Sequence, residues 1–249
     1  MMPFALAASM AIAATPTGSF FEYRAMLFAD VFRWAGRASW RTVWQRYWHG
    51  EAFRYVFWLR TATYTRDHRL LRWLVYFPLA RSMLKHYRYK LGISIPCTTQ
   101  IGPGLFIGHF GGIVINESAV IGSNCNLSQG VTIGQSNRGE RAGTPTLGDN
   151  VYVGPNAAII GGIQVGNCVA VGANAVVTKN VDDHAVVGGV PARVLSHAGV
   201  HGYIEYTDYE CEPWFMGEKR LAVGGWRLAG ARRDESVATP SDEPPTANR

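Results

Sequence analysis

Residues 147–177 read LGDNVYVGPNAAIIGGIQVGNCVAVGANAVV, and this stretch decides the fold. An aliphatic residue stands at every sixth position, and a second apolar residue, usually a small one, follows four positions later. A six-residue period of this kind is typical of a parallel β-helix, in which short strands alternate with tight turns. The aliphatic positions are Leu147, Val153, Ile159, Val165, Val171 and Val177.

The same period extends upstream, with one slip of two residues. Asparagine recurs three positions after the aliphatic residue, where a turn needs a positive φ that asparagine tolerates better than other non-glycine residues. Each coil would bury its core only against its neighbours, so we expect the stack to fold as one cooperative unit. The upstream aliphatic positions are Ile95, Ile101, Ile107, Ile115, Ile121, Leu127 and Ile133. The turn asparagines are Asn124, Asn150, Asn156, Asn174 and Asn180.

One interruption breaks the period in the middle of the stack. Fourteen residues instead of six separate Ile133 from Leu147, so the polar, Gly-rich stretch 134–146 is predicted to leave the coil as a loop. Loops on a rigid scaffold often carry function. The pattern then closes with Val-Pro-Ala-Arg at residues 190–193.

The segment before the repeat, residues 20–92, holds all of the basic excess of a chain whose formal net charge is +6. It contains fourteen Lys or Arg against four acids, and six of the eight tryptophans. Apolar residues follow a helical spacing from Trp40 to Trp48, and another helical stretch is interrupted by Pro78. The predicted organisation is an uncertain extension at 1–19, a basic aromatic α-helical domain at 20–92, a β-helix domain at 93–196, a C-terminal extension at 197–231 and a disordered tail at 232–249.

Two interpretations of this basic aromatic segment stay open. It is either a helical oligomerisation domain with packed aromatic residues or a surface that lies on anionic lipid, where Trp and Tyr sit at headgroup level and Arg pairs with phosphate. No stretch reaches the eighteen or so apolar residues of a spanning helix. A nucleic-acid partner is not expected, because no recognised binding motif accompanies the charge.

The N-terminal run and the cysteines bear on location. The apolar run from Pro3 to Ala14 has no Lys or Arg, so neither a secretory signal nor a membrane span is expected, and Met26 is an alternative start. The four cysteines form no Cys-x-x-Cys pair and are interpreted as thiols of a reducing compartment. We therefore expect a cytoplasmic protein, and a peripheral position at the inner face of the plasma membrane stays open.

Three motifs carry a resemblance to a known family. Residues 108–115 read GHFGGIVI, the loop interrupts the repeat, and residues 188–193 read GGVPAR. Together they resemble the hexapeptide-repeat acyltransferases, closest to serine O-acetyltransferase, over residues 92–196. The resemblance implies a mainly β fold, a left-handed parallel β-helix preceded by the helical domain. It also implies a homotrimer, or a dimer of trimers, with the donor acetyl-CoA between neighbouring subunits.

His109 matches the family's catalytic histidine, the general base that removes the proton of the acceptor hydroxyl. An imidazole titrates near neutrality and can pass that proton to the leaving thiolate. Glu117 matches an acidic position that would orient or charge-balance the histidine. No metal is expected, because His109 is the only histidine between residues 87 and 183, which argues against a three-histidine zinc site.

Other positions match the family's coenzyme contacts, most of which are made by backbone groups. Lys179 and Arg193 stand where positive charge would meet the phosphates of CoA. The matching backbone positions are Gly134, Gln135, Pro155 and Ala173.

The amino-acid half of the family's site is changed in this chain. Ser94 stands where the family has an aspartate that partners the histidine, and Gly108 replaces an acid. In the loop, residues 142–145 read AGTP in place of an Asp-Arg-His-Pro run that grips serine. The charged residues that remain nearby, and would have to form a rearranged substrate site, are Arg138, Glu140 and Arg141.

These observations predict an acetyl-CoA-dependent O-acetyltransferase that acts on a sugar hydroxyl in surface-polysaccharide synthesis, because the thioester half of the site is kept and the serine half is lost. A lipid-linked saccharide acceptor would suit the basic aromatic domain. Serine O-acetyltransferase of cysteine biosynthesis is the first alternative. The second alternative is a non-catalytic β-helix scaffold that docks on a membrane or a partner protein.

Overall fold

A computed structural model of the chain describes residues 19–215. The extension predicted over 1–19, apart from Ser19, and the tail predicted over 232–249 lie outside the described residues, as do residues 216–231. Within the described range, no helix is long and apolar enough to cross a membrane.

Helices form the first third of the described chain. Ser19 starts α1 with a capping box: its hydroxyl accepts a hydrogen bond from Glu22 N (3.1 Å), and the Glu22 carboxylate accepts one from Ser19 N (3.2 Å). Ser39 caps α2 through Thr42 N, and Gly92 ends the last helix with a φ of 61°. The helices are α1 (Phe20–Ala35), α2 (Trp40–His49), α3 (Glu51–Asp67), α4 (Arg69–Leu71) and α5 (Arg81–Leu91).

Pro78 interrupts the regular helix without ending it. A π-helical segment, Arg72–Ala80, contains Pro78 and joins α4 to α5 without a break in the chain of helical residues. Proline has no N–H and cannot donate the usual i→i−4 hydrogen bond. The π-helical turns continue the helix through the residue that lacks this bond.

The α2 helix keeps its tryptophans at the surface. Thr42 and Val43 are its buried residues, whereas Trp40, Trp44 and Trp48 are 40%, 50% and 65% exposed. Most of the apolar face predicted for this helix is therefore not covered by the described part of the chain.

Short strands between Ile93 and Ser196 stack into five coils with three sheets. Sheet A comprises β1 (Ile93–Ser94), β4 (Ile113–Ile115), β7 (Thr132–Gly134), β10 (Ala158–Ile160) and β13 (Val176–Val177). Sheet B comprises β2 (Gln100–Ile101), β5 (Val120–Ile121), β8 (Thr146–Leu147) and β11 (Gln164–Val165). Sheet C comprises β3 (Phe106–Ile107), β6 (Asn126–Leu127), β9 (Tyr152–Val153), β12 (Ala170–Val171), β14 (Val186–Gly188) and β15 (Arg193–Ser196).

The fold is the predicted left-handed parallel β-helix with a helical N-terminal region. The thirteen aliphatic residues of the six-residue period point inward, and each is at most 4% exposed. Burying one such side chain contributes about 1.5–3 kcal/mol, so the stacked interior is the main source of stability. At the far end β15 pairs antiparallel with β14 and closes the stack.

The turn asparagines have the predicted positive φ, with one exception. Asn180 is not in the left-handed region, and its Oδ1 instead accepts a hydrogen bond from Gln164 N (3.0 Å) across the turn between sheets A and B. Cys168 and His184 take the same turn position in their own coils, with φ of 55° and 60°. The asparagines with φ between 55° and 58° are Asn124, Asn150, Asn156 and Asn174.

Buried polar groups fasten the helical domain to the first coil. The Tyr55 hydroxyl donates to Ile95 O (2.8 Å) and accepts from Ile95 N (2.9 Å). The Arg60 guanidinium donates to the carbonyls of Ile101 and Gly102 (2.8 and 2.7 Å). The two parts of the chain therefore share satisfied hydrogen bonds in a common core.

Residues 197–215 pack back against both parts. Tyr209 is fully buried, and its hydroxyl donates to Asn124 Oδ1 (2.7 Å) in the second coil. Arg33 of α1 donates through Nε to the Glu205 carbonyl (2.7 Å). The segment after the β-helix thus ties α1 to the stack.

Candidate active site

The turn from sheet C to sheet A is longest in the first coil. Strand pairing aligns Ile107 with Leu127 before this turn and Ile115 with Ile133 after it. Ile115 follows Ile107 by eight residues, whereas Ile133 follows Leu127 by six. His109 lies in this enlarged turn with an exposed side chain, because the two extra residues cannot remain within the regular coil.

Three further coils stack on this turn in register. Asn156 N donates to Gln129 O (2.9 Å), and Asn174 N donates to Pro155 O (2.8 Å), so the turns follow one another along the axis. Neighbouring strands lie about 4.8 Å apart, which places Ala173 roughly 14 Å along the axis from the coil of His109. We call this column of turns the His109 corner; it contains His109, Gln129, Pro155 and Ala173.

The His109 ring has no acidic partner among residues 19–215. Within residues 19–215 it forms no hydrogen bond or ion pair. Ser94, the residue in place of the family's aspartate, lies on β1 opposite Val114 of β4. No group of three metal-ligating side chains occurs in the same part of the chain. The candidate base is therefore an exposed imidazole that is open to a ligand or a second chain.

The loop at residues 134–146 folds as a hairpin where the chain leaves sheet A for sheet B. Ser136 and Gly143 form an antiparallel bridge with N···O distances of 3.0 and 2.9 Å. Arg138 and Glu140 lie exposed between them, and neither forms an ion pair in the described part of the chain. Two opposite charges are thus presented to solvent at the tip.

Two side chains hold this hairpin against the coils. The Thr144 hydroxyl donates to the Ser118 carbonyl (3.0 Å) in the second coil. Arg141 Nη1 donates to the Thr178 carbonyl (3.3 Å) in the fifth. Thr144, which stands in the changed part of the family's serine-gripping run, is therefore engaged with the backbone.

Glu117 and Lys179 are exposed on the same edge of sheet A as the hairpin. Glu117 follows the end of β4, whereas His109 precedes its start. The two side chains are therefore separated by the length of a strand of sheet A. A three-residue strand is about 10 Å long. Within one chain the structure therefore does not bring Glu117 to His109. We call this edge the loop corner; it contains Glu117, Gln135, Arg138, Glu140, Arg141 and Lys179.

Two further predicted coenzyme residues lie beside the loop corner and at the closed end of the stack. Gly134 ends β7 in sheet A, and a Cβ there would stand 2.9 Å from Ile160 Cδ1, so a side chain at this position would be crowded. Arg193 begins β15 at the closed end of the stack, and its exposed guanidinium makes one long hydrogen bond, to Ala192 O (3.4 Å). Its charge is available to a ligand.

Gln129 is a candidate residue that the sequence analysis missed. Its Oε1 is buried and has no hydrogen-bond partner in the described part of the chain. A buried polar atom without a partner costs about 1–3 kcal/mol, so a bound molecule or a neighbouring chain that donated to it would be stabilised. The register was the available signal, because His109, Gln129, Pro155 and Ala173 each stand two positions after a repeating aliphatic residue.

Comparison with known proteins identifies the repeat. Residues 144–179 match the family model described as bacterial transferase hexapeptide (six repeats). A serine acetyltransferase of Synechococcus elongatus is 38% identical over 136 residues, which are 53% of this chain and 56% of that protein. The chain thus spans about half the length of the curated relatives it matches.

Solved structures of serine acetyltransferases share the fold. One in complex with CoA aligns with a TM-score of 0.55 and 26% identity, over 70% of this chain and 69% of the other. The Neisseria gonorrhoeae serine acetyltransferase in complex with serine aligns with a TM-score of 0.55 and 25% identity, over 72% and 71%. The resemblance to the hexapeptide-repeat acyltransferases near serine O-acetyltransferase is confirmed, in sequence and in fold.

Proposed function

We propose that this chain is an acetyl-CoA-dependent O-acetyltransferase in which His109 is the general base. The observation that carries the proposal is the His109 corner, a column of turns that begins at an exposed imidazole and continues along the axis through three coils. An extended ligand can lie along such a column and contact its backbone. The serine acetyltransferase solved with CoA has this fold, which supports CoA as that ligand.

The proposed reaction is a direct transfer. His109 accepts the proton of the acceptor hydroxyl while the hydroxyl oxygen attacks the thioester carbonyl carbon of acetyl-CoA. The carbon–sulfur bond then breaks, and the imidazolium gives its proton to the CoA thiolate. The imidazole ends neutral, and the acetyl group never bonds to the protein.

The coenzyme would lie with its thioester at the first coil and its phosphates at the last. Backbone groups at Pro155 and Ala173 of one chain would line the coenzyme together with those at Gly134 and Gln135 of a neighbouring chain. The cations Lys179 and Arg193 are in or beyond the fifth coil, at the opposite end of the stack from His109, where they would meet the phosphates.

We propose that the functional unit is a homotrimer, because one chain holds only part of the site. His109 and the loop corner lie on opposite edges of sheet A. Rotation about an axis parallel to the stack would bring the loop corner of one chain to the His109 corner of the next. Glu117 could then charge-balance the histidine of a neighbour.

We propose L-serine as the acceptor. The support is that the matched relatives are named serine acetyltransferases, and one neighbour was solved with serine. The surface-polysaccharide sugar predicted from the sequence has no support among these matches. Arg138 and Glu140 at the loop tip offer the charges that a serine carboxylate and ammonium require. Because acetyl-CoA is a cytoplasmic metabolite, we propose that the reaction takes place in the cytoplasm.

The test is the release of CoA thiol from acetyl-CoA by the purified full chain, with L-serine, a sugar nucleotide or no acceptor. Calorimetry of CoA binding is run on the same samples. We expect turnover with L-serine and, for His109→Ala, a loss of about 100- to 10,000-fold in turnover with CoA binding kept. Coenzyme binding with turnover only on sugars would overturn the proposal that L-serine is the acceptor. Absence of CoA binding would overturn the proposed acetyltransferase activity and favour the non-catalytic scaffold.

A further inference from the structure

The helical domain presents an apolar strip that no described residue covers. On α4 and the π-helical segment, the exposed fractions are 71% for Leu70 and Trp73, 64% for Leu74 and 38% for Phe77. The Trp73 and Phe77 rings are in contact, with centroids 4.9 Å apart, and Leu70 and Leu74 are separated by about one helical turn, which puts the four on one face. Exposed large apolar side chains that are contiguous mark an interaction surface.

Unpaired cations border this strip. Arg69, Arg72 and Arg81 are exposed, and none forms an ion pair in the described part of the chain. The Arg72 guanidinium lies 5.8 Å from the centroid of the Phe77 ring. We call the four apolar residues and the three arginines the amphipathic patch.

The patch lies in a long stretch of the chain that contains no acidic residue. From His68 to Asn116 the chain has no Asp or Glu, while residues 69–90 contain four Arg and two Lys. Asp67, the nearest acid along the chain, is paired with Arg66 at 2.7 Å. The charge of the patch is therefore not neutralised by an acid of residues 19–215.

A hollow opens between the cations and the aromatic rings of the patch. It has a volume of about 460 Å³ and is lined by Arg66, Asp67, Arg69, Arg72, Trp73 and Phe77. An anionic headgroup in this hollow would meet guanidinium groups, while the rings would contact the acyl chains next to it.

We propose that the amphipathic patch docks this protein on an anionic lipid bilayer. The argument is charge complementarity combined with exposed Trp, Leu and Phe, the combination that inserts at a membrane interface. A second copy of the chain is the less favourable occupant, because a two-fold contact would set arginine against arginine, and the acid beside them, Asp67, is already paired with Arg66. The proposal does not depend on the acetyltransferase activity.

The test is co-sedimentation of the full chain with vesicles of phosphatidylcholine alone or mixed with phosphatidylglycerol. We expect binding to the anionic vesicles only. This binding should be lost as the salt concentration rises from about 0.1 to about 1 M, because the Debye length falls from about 10 to about 3 Å. Arg69→Gln with Arg72→Gln should lower the vesicle partition coefficient about 30-fold, since each interfacial cation contributes about fivefold. Trp73→Ser with Leu74→Ser should lower it about tenfold or more.

A matched pair of arginines provides the control. Arg37→Gln with Arg41→Gln removes the same charge from exposed positions outside the patch and should leave binding within about threefold. An equal loss of vesicle binding in the two double arginine variants would overturn the proposal. Equal binding of the unchanged protein to neutral and anionic vesicles would also overturn it. Sedimentation velocity is run on every variant. A lower mass of the assembly for Trp73→Ser with Leu74→Ser would show that the patch joins copies of the chain. That result would also overturn the lipid-docking proposal.

Discussion

Arg60 and Asp30 form a buried, bidentate ion pair where the helical domain meets the first coil. Arg60 Nε lies 2.7 Å from Asp30 Oδ2, and Arg60 Nη2 lies 3.0 Å from Asp30 Oδ1, with both side chains at most 7% exposed. Asp30 Oδ1 also accepts a hydrogen bond from Leu105 N (2.8 Å). One charge pair therefore joins α1, α3 and the β-helix.

Removing one member of this pair should be costly. We expect Arg60→Met to lower the free energy of unfolding by about 3–5 kcal/mol, because Asp30 is left as a buried charge without a counter-charge. Urea-induced unfolding followed by tryptophan fluorescence measures this change. Arg60→Met with Asp30→Leu should recover about half of the loss. A double variant no more stable than Arg60→Met would mean that Arg60 acts through its bonds to backbone carbonyls alone.

Tyr55 should make the junction sensitive to alkaline pH. Burial raises the pKa of Tyr55 from 10.0 to about 12, although its hydrogen bond to Ile95 opposes the shift. The folded state thus holds the proton more tightly than the unfolded state. The stability from this group is present below pH 10 and is lost as pH rises through 12. We expect a loss of about 2 kcal/mol in the free energy of unfolding between those values.

The variant Tyr55→Phe isolates this contribution. It should reduce the fall in the free energy of unfolding above pH 10, because the titrating group at the junction is gone. The exposed tyrosine Tyr89 supplies the control, and Tyr89→Phe should follow the unchanged protein across the pH range. Burial also raises the pKa of Cys125, to about 12, so a residual alkaline loss is expected in every variant. An identical pH profile for Tyr55→Phe and the unchanged chain would contradict the prediction.

The β-helix was predictable because its contacts are local and periodic. Each coil packs on the next, so the residues that meet across the stack, such as Leu127 and Val153, hold equivalent positions in a short repeat. The positive φ at Asn156 was predictable for the same reason. The exception at Asn180 has a local cause, since its turn, between sheets A and B, uses the side chain to hold Gln164 N instead.

Contacts between distant parts of the chain were not predictable. Asp30 and Arg60 are thirty residues apart, and Tyr209 meets Asn124 across 85 residues, so no period relates either pair. The separation of Glu117 from His109 by sheet A also needed the structure, because a spacing of eight residues does not tell which edge of a sheet each will occupy.

Arg138 should decide the affinity for an acceptor that carries a carboxylate. Its exposed side chain makes no hydrogen bond in the described part of the chain, whereas Arg141 is tied to Thr178. If L-serine is the acceptor, Arg138→Ala should raise its KM about tenfold to 100-fold, since a charge-assisted hydrogen bond is lost. The KM for acetyl-CoA should stay unchanged in steady-state assays. Arg37→Ala is the control, and an unchanged KM for L-serine in Arg138→Ala would exclude this arginine from the site.

Mixed trimers should show whether the site is shared between chains. Chains with His109→Ala and chains with Glu117→Gln are co-expressed with different affinity tags, and assemblies that carry both tags are purified. If the His109 corner of one chain meets the loop corner of the next, about one in three sites of each mixed trimer is intact, and turnover rises to about that fraction of normal. Gln129 lies on the same corner as His109, so His109→Ala mixed with Gln129→Ala should recover nothing if both changes lower turnover. Activity equal to the mean of the two parents in the first mixture would place the whole site within one chain.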